Sequence, residues 1–335
     1  MTPIDMMAGE PHFADHLAAV WLALPPEARG TFMHRGNRAA MAEIKARMAR
    51  HGITTQLKSG NYPVLVAAYG DLARAKREGR TRIAIMEHGA GQSYHGDPRT
   101  IGANSSSYAG GPNRYADLFL HPGPDPAARD RARYPKARVE VVGSPFLDLM
   151  PAHEPSTEPT IAVTFHFDCQ MAPETRPALP HFRKAVAELA KHYPVLGHGH
   201  PRIFEAIAPW YRRQGVEPVR SFEDVARRAD VLVADNTSVL FAFAASGRGV
   251  AVMNPPWYRP HVRHGLRFWD AAEVGVNVSS PARLAAAVAE ALEDAPARQR
   301  AREAALSLVY AHRSGAAARA ANVLLDWTGA AAVAA

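Results

Sequence analysis

A polar tetrapeptide in the second half of the chain, Asp-Asn-Thr-Ser at 235–238, has residue types that could bind an anion. It directly follows an apolar run and precedes small and apolar residues with helical spacing, which predicts a strand, a turn and a helix. The hydroxyls of Thr237 and Ser238, with the unpaired N–H groups of a first helical turn, would suit a nucleotide diphosphate. Asp235 would shape the turn. Ordinary N-capping by Thr or Ser is the alternative.

Among the 16 histidines, His88, His198 and His200 come where strands are predicted to end and could do chemistry. Gly89 and Gly91 follow His88 and would let a substrate approach closely, and an imidazole can take a proton from a hydroxyl near neutral pH. His198 and His200 would face the same side of a continued strand. A His-x-His pair also suggests a metal site, but no carboxylate or third ligand lies near it in the sequence, so no metal is expected. A buried, packing or capping histidine is the alternative at each position.

The elements that would position these residues alternate between strand and helix. Helical spacing is present at 13–24, and Asn37 is predicted to cap a helix that ends before Gly52. Strands that alternate with helices predict a parallel, doubly wound sheet, with ligands outside the carboxyl ends of its strands. The strands predicted in the first half are 64–69, 82–87, 117–121 and 139–143.

The same α/β pattern starts again after a proline-rich interruption. Residues 151–160, PAHEPSTEPT, hold three prolines and no hydrophobic pattern, which is typical of a linker. We therefore expect one Rossmann-like domain at 1–150 and a second at 161–330, with the C-terminal helices assigned to the second. Two such domains are expected to face each other across a cleft.

Composition limits the class of protein. At 335 residues, 47% hydrophobic and 21% charged, the chain has ample material for a globular core, and no apolar run approaches the roughly 20 residues that cross a bilayer. The N-terminus lacks the pattern of a secretory signal, and the single Cys169 excludes an intramolecular disulfide, so a cytoplasmic location is the default. A net charge of +7 favours anionic partners.

Three common signatures are missing from the sequence. There is no G-x-x-x-x-G-K-[ST] phosphate loop, no G-x-G-x-x-G and no G-x-S-x-G. Dinucleotide-dependent redox chemistry and the α/β-hydrolase mechanism therefore have little support.

Four segments, in this order, resemble the CDP-glycerol glycerophosphotransferases of wall teichoic acid synthesis, which have a GT-B fold. That family typically has a His-Gly pair after a strand, a Gly-x-Pro-x-x-Asp segment, a His-Pro pair and an Asp-Tyr-Ser-Ser turn. This chain departs from the pattern, because Asn-Thr-Ser follows Asp235, and the usual Trp before the first His and Thr-Pro after the first Gly are missing. The second segment also looks like one in sugar-nucleotide 2-epimerases, which share the fold. The four segments are EHGAGQSYHG (87–96), VVGSPFLD (141–148), GHGHP (197–201) and DVLVADNTSVLFAFAASGRGVAVMNP (230–255).

The resemblance implies two catalytic histidines. His88 would be the general base that takes a proton from the acceptor hydroxyl, and His200 would contact the donor diphosphate and stabilise or protonate the leaving phosphate. Glu87 could orient His88, but at the preceding strand position it is expected to point the other way.

The resemblance also implies the residues that bind the nucleotide donor. These are Asp235, Thr237 and Ser238 in the last motif, together with Gly143 and Pro145 in the second.

Loops beside the motifs offer further contacts. Trp257 and Tyr258 could stack on a pyrimidine or could be core, and the Gly- and Ser-rich segment 105–115 is a candidate mobile loop over the acceptor site. Arg202 and Arg259 could pair with phosphate, with surface solvation as the alternative.

The function implied is a transferase that moves glycerophosphate, or a related group, from a CDP-activated donor to an acceptor hydroxyl, as in cell-envelope polymer synthesis. No cofactor is implied. The partners implied are the nucleotide-diphosphate donor, a phosphopolymer or lipid-linked acceptor and an anionic membrane surface at the inner face; nucleic acid is not expected. The alternatives are a nucleotide-sugar glycosyltransferase or 2-epimerase, and a GT-B-like protein that binds nucleotide or polyanion without turnover.

Overall fold

Strands and helices alternate along the chain and build two separate sheets. None of the helices described is long and apolar enough to cross a membrane. The chain divides into two compact units, Met1–Leu149 with Tyr310–Ala335, and Met150–Val309. Residues 151–160 form neither helix nor strand. The computed structural model describes residues 2–90, 114–170, 173–259 and 273–329.

The first unit contains a seven-stranded sheet in which every pair of neighbours is parallel. Its strands are β1 (Ile4–Ala8), β2 (Arg29–His34), β3 (Thr55–Gln56), β4 (Val64–Val66), β5 (Ile83–Met86), β6 (Leu118–His121) and β7 (Arg138–Val141). The order in the sheet is β3-β2-β1-β4-β5-β6-β7. The central strands are buried along their whole length, as expected for a parallel sheet with helices on both faces.

Four helices of the described part of the chain lie between these strands in sequence. The side chain of Asn37 caps α2 by accepting the N–H of Ala40 at 2.9 Å, as the sequence predicted. The helices are α1 (Pro11–Ala23), α2 (Arg38–Arg50), α3 (Tyr69–Arg77) and α4 (Pro124–Arg133).

The second unit repeats the plan with six parallel strands. They are β8 (Ile161–Thr164), β9 (Val195–Gly197), β10 (Glu217–Pro218), β11 (Val231–Ala234), β12 (Gly249–Met253) and β13 (Val276–Val278), in the order β10-β9-β8-β11-β12-β13. The helices are α5 (Leu179–Leu189), α6 (Pro201–Arg213), α7 (Phe222–Arg228), α8 (Val239–Ala244), α9 (Leu284–Glu293) and α10 (Pro296–Val309).

Each sheet has a point where the direction of winding reverses. In the first unit this switch point lies between β1 and β4, and in the second between β8 and β11. Ligands of open α/β sheets bind outside the carboxyl ends of the strands at such a point. The residues that follow these four strands are therefore the first candidates for a ligand site.

The last helix, α11 (Ala316–Thr328), packs on the first unit. Its Ala320 and Leu324 share a buried core with Leu17 of α1. The sequence prediction had assigned all C-terminal helices to the second domain, and the structure differs for α11 alone. An amphipathic stripe predicts that a helix packs on a sheet, but it does not say on which one.

The GSPFLD segment explains why α11 lies there. Gly143 has a φ of +89°, and a Cβ at this position would stand 2.6 Å from the carbonyl oxygen of His312. The carboxylate of Asp148 accepts the N–H groups of Gly315 and Ala317, at 2.8 and 2.7 Å, where α11 begins. This motif therefore docks the C-terminal segment on the first unit.

Alanine at Gly143 is expected to lower the free energy of unfolding by about 2–4 kcal/mol, because it adds a steric clash to an unfavourable left-handed backbone. The midpoint of urea denaturation measures the change. Gly52→Ala is the matched control, since Gly52 has a φ of +70° and open space around its Cβ position, so only about 1 kcal/mol is expected there. Equal losses in the two variants would contradict the docking role.

Candidate functional site

Asp235 organises the switch point of the second unit. It directly follows β11, is fully buried, and accepts the N–H of His166 at 2.8 Å and the N–H of Ala178 at 2.9 Å. These bonds tie the end of β8 to the beginning of α5. Asp235 therefore holds two other main-chain segments of the site in place, and its shaping of the 235–238 turn stays a prediction.

The next residues lead into α8. The N–H of Thr237 donates to the carbonyl oxygen of Asp235 at 2.7 Å, and the amide of Asn236 donates to the carbonyl oxygen of Glu174 at 2.8 Å. Ser238 stands at the N-cap position, but its side chain makes no capping hydrogen bond. Ordinary capping therefore does not account for the Ser238 hydroxyl, and donor binding by Thr237 and Ser238 stays a prediction.

His200 is the N-cap residue of α6. Its Nδ1 accepts the N–H of Arg202 at 3.2 Å, and its ring packs 4.5 Å from that of Phe167 and 5.5 Å from that of His166. The guanidinium of Arg202 lies 4.8 Å from the centre of the same Phe167 ring. Because Nδ1 accepts a hydrogen bond, the neutral ring carries its proton on Nε2, which makes Nε2 a donor.

His198, unlike His200, is not a helix cap. It is buried, its Nδ1 lies 2.7 Å from the hydroxyl of Thr164, and its ring packs 5.7 Å from that of Phe222. These contacts fit the packing alternative. Within the described parts of the chain, no cluster of three His, Cys, Asp or Glu side chains has the geometry of a metal site.

His166 lies at the same switch point and was not predicted from the sequence. Its Nδ1 is 2.9 Å from the carbonyl oxygen of Phe167 and 3.0 Å from that of Thr175, so this nitrogen carries the proton and donates. The available signal was a polar residue two positions beyond a buried strand. That signal becomes useful only once β8 is known to flank the switch point.

Arg259 has a partner that the sequence did not predict. The fully buried carboxylate of Glu174 accepts its main-chain N–H and Nε at 2.8 Å and its Nη2 at 2.9 Å. Nearby, the hydroxyl of Tyr258 donates to the carbonyl oxygen of Arg176 at 2.9 Å, and Tyr258 is buried, as in the core alternative. The turn at 173–176 therefore holds Tyr258 and Arg259, which follow β12.

His88 lies two residues beyond the end of β5 in the first unit and is buried. Its Nδ1 is 2.5 Å from the carbonyl oxygen of Ala67, the first residue after β4, so Nδ1 donates and the neutral ring keeps its lone pair on Nε2. The start of α1 surrounds the ring, with centres at 4.5 Å for Phe13, 5.7 Å for His12 and 6.3 Å for His16.

Two neighbouring groups have strongly shifted pKa values. Burial, and after it the nearby His88, lowers the pKa of His16 to about 3, so His16 is uncharged at neutral pH. Burial raises the pKa of Asp71 to about 6, although its carboxylate accepts the N–H of Gly9 at 2.7 Å. His16 lies on α1, whose first turns contact the His88 ring. Asp71 lies on α3 and binds Gly9, the residue after β1, so both groups are near the switch point of the first unit.

The Asp71→Asn variant is expected to lose part of the pH dependence of stability. The pKa of Asp71 is higher in the folded protein, at about 6, than its ordinary value of 3.8, so the wild type loses stability as the pH rises from about 4 to 6. An amide still accepts the Gly9 N–H but has no charge to bury. The difference in unfolding free energy between pH 4 and pH 7.5 should therefore shift by up to about 3 kcal/mol in favour of the variant at high pH.

Urea denaturation at the two pH values measures this shift. Asp117→Asn is the matched control, because Asp117 is exposed and also accepts one main-chain N–H, from Ile83 at 2.9 Å. Identical pH profiles for the wild type and Asp71→Asn would contradict the raised pKa.

Gly143 and Pro145 lie in the first unit, whereas the 235–238 turn lies in the second. Gly143 packs on the C-terminal segment, and Pro145 is buried at the start of the short 3-10 helix Pro145–Leu149. Their binding of the donor stays a prediction. Most of the candidate loop at 105–115 lies outside the described residues.

The fold matches solved GT-B proteins, as predicted. The wall teichoic acid polymerase TagF matches with a TM-score of 0.63 and 13% identity, covering 98% of this chain and 88% of that one. MnaA of S. aureus, solved with UDP, matches with 0.63 and 13%, covering 98% and 97%. UDP-GlcNAc 2-epimerase from Neisseria meningitidis, bound to UDP-GlcNAc, matches with 0.62 and 12%, covering 97% and 100%. At these identities the likeness establishes the fold.

The family comparison is more specific. The family CDP-Glycerol:Poly(glycerophosphate) glycerophosphotransferase matches this chain over residues 175–324, which include the GHGHP segment and the 235–238 turn. The resemblance to this family that the motifs predicted is thereby confirmed. A comparison with curated protein sequences finds no match.

Proposed function

We propose that this protein transfers a glycerophosphate unit from a CDP-activated donor to a hydroxyl group of an acceptor. The family match over residues 175–324 supports the donor class. The main structural support is the hydrogen bonding of two histidines, which suits one to act as a general base and the other to stabilise a phosphate oxygen.

His88 and His200 are held in opposite hydrogen-bonding states. The Nδ1 of His88 donates to the carbonyl oxygen of Ala67, so its Nε2 can accept a proton. The Nδ1 of His200 accepts the N–H of Arg202, so its Nε2–H can donate. A general base needs the first state, and a group that stabilises a phosphate oxygen needs the second.

The reaction then follows from these states. The acceptor oxygen attacks the phosphorus that bears glycerol, and its proton passes to Nε2 of His88. The bond from that phosphorus to the bridging oxygen breaks, and CMP leaves with the electron pair. His200 and the hydroxyls of Thr237 and Ser238 offset the charge on the phosphate oxygens, so most of the catalysis is positioning and electrostatic stabilisation.

The carboxylates near His200 favour transfer over epimerisation. A 2-epimerase needs groups that move a proton at carbon. Asp235 instead holds two main-chain N–H groups, and Glu174 is engaged by Arg259. Both are structural supports of the site, so they supply no proton shuttle.

Binding and turnover with defined nucleotides test the proposal. CDP-glycerol should raise the melting temperature more than UDP-GlcNAc does, since a ligand at 100 times its Kd adds about 2.7 kcal/mol to stability. CMP should then appear only when an acceptor bearing free hydroxyls, such as a glycerophosphate oligomer, is added. Conversion of UDP-GlcNAc to its 2-epimer would contradict the proposal, and so would nucleotide binding without CMP release across acceptors.

The Thr237→Ala/Ser238→Ala double variant is expected to weaken CDP-glycerol binding by about 1–3 kcal/mol, the value of hydrogen bonds to a charged group. Isothermal titration calorimetry, at a temperature where both proteins are folded, measures the change. Ser246→Ala is the control, because Ser246 lies at the other end of α8 and its hydroxyl donates to the carbonyl oxygen of Phe243. An unchanged affinity with a lower melting temperature would make the pair structural.

A further inference from the structure

A buried cluster of ionisable side chains lies beside the strand end that carries His88. Glu87 Oε2 is 3.1 Å from His121 Nδ1, and Asp130 Oδ2 is 2.9 Å from His121 Nε2. None of the three side chains is more than 3% exposed. As the sequence predicted, Glu87 does not orient His88 directly, because it makes its contact with β6 instead.

The cluster holds charge in the interior. Burial alone would lower the pKa of His121, but the carboxylates of Asp130 and Glu87 outweigh it and raise the pKa to about 9. Burial raises the pKa of Glu87, against the hydrogen bond from His121. Arg129 of α4 also faces Glu87, as does Tyr310, whose pKa is raised by burial and by Glu87. His121 is therefore protonated at neutral pH and bound on both sides.

Stability does not explain this arrangement. Removing charged groups from water is costly, and replacing a buried ion pair by apolar side chains of similar volume often leaves stability unchanged or increased. The strand that carries His121 is otherwise apolar, with Leu118, Phe119 and Leu120 fully or almost fully buried.

The geometry connects the cluster to His88. The N–H of Glu87 donates to the carbonyl oxygen of Leu120 at 3.1 Å, which extends the pairing of β5 with β6 by one residue. His88 comes next, with its ring on the carbonyl oxygen of Ala67, and Gly89 then turns the chain with a φ of +80°. With a glycine on one side, His88 depends on Glu87 for a fixed main-chain position.

We propose that Glu87 and His121 are a positioning pair: by clamping the residue before His88, they keep its Nδ1 on the carbonyl oxygen of Ala67 and leave Nε2 as the basic nitrogen. The catalytic consequence rests on the proposed function. The effect on the His88 ring does not.

Nitrogen-15 NMR of the histidine rings, with His88 assigned by comparison with His88→Gln, tests the proposal. In the wild type, the neutral His88 ring should carry its proton on Nδ1. In Glu87→Ala the ring should become a mixture of both tautomers, and kcat should fall by about 10-fold or more with little change in KM for the donor, as expected for a misplaced base. Glu87→Gln still accepts a hydrogen bond from His121 and should recover most of both properties.

The surface variant Glu27→Ala is the control for an unrelated loss of charge in the same unit, since Glu27 is exposed. If Glu87→Ala does not fold, the same measurements on His121→Gln test the positioning role instead. An unchanged His88 tautomer in the folded variant, with only a lower melting temperature, would overturn the positioning role. Absence of transfer by the wild type would contradict the proposed function. The ring spectra would still test whether Glu87 and His121 position His88.

Discussion

Alanine in place of His88 is expected to lower kcat for transfer from CDP-glycerol by roughly 10²-fold or more, the scale of a lost general base. The donor Kd should change little. The best-supported candidates for donor binding are His200 and the 235–238 turn, and both belong to the second unit, whereas His88 belongs to the first. The reason lies in one hydrogen bond: Ala67 fixes the proton on Nδ1, so Nε2 is the nitrogen that can take a proton from the acceptor.

The variant must fold for this result to be informative. The His88 ring packs against Phe13, so some loss in melting temperature is expected, and kcat should be measured well below it. His51→Ala, at the C-terminal end of α2, is the matched control and should keep the wild-type kcat. Turnover by His88→Ala at the wild-type rate would remove His88 from the mechanism.

The fold was largely predictable because its signal is local. The runs at 64–69, 82–87 and 117–121 contain β4 to β6, and the run at 139–143 overlaps β7, since strands covered on both faces are short and apolar. The central strand β1 was missed. Its Asp5 interrupts the apolar pattern, and the partners of its carboxylate are distant in sequence: the N–H of Thr31 at 2.7 Å, and the Ser59 hydroxyl and Arg80 at 2.6 Å.

The candidate site was predictable in part for the same reason. A turn residue or a histidine after an apolar run is visible in the sequence, so the positions of the 235–238 turn, His88 and His200 near strand ends could be predicted. The ion pair of Glu174 and Arg259 joins residues 85 positions apart, and no local pattern indicates it. His166 needed the order of the strands, which only the pairing of β8 with β11 supplies.

His200→Asn is expected to lower kcat by roughly 10²–10³-fold, the cost of removing one preorganised donor to a charged oxygen. This variant separates two roles of His200 that alanine would remove together. Asparagine is among the best N-cap residues, so it can replace the bond from the Arg202 N–H and keep α6 stable, but it has no imidazole Nε2–H.

Two further variants separate the roles: His200→Ala also removes the cap, and His192→Ala is the control. His200→Ala should lose the same activity and, in addition, on the order of 1 kcal/mol of stability from the missing cap. His192 is exposed in the same unit, and its replacement should change neither quantity. Each variant is measured for CMP release and for its urea midpoint. If His200→Asn is as active as the wild type while His200→Ala is merely less stable, the imidazole is a cap alone. The stabilisation of the leaving phosphate would then have to come from the hydroxyls of the 235–238 turn, which the double variant at Thr237 and Ser238 tests separately.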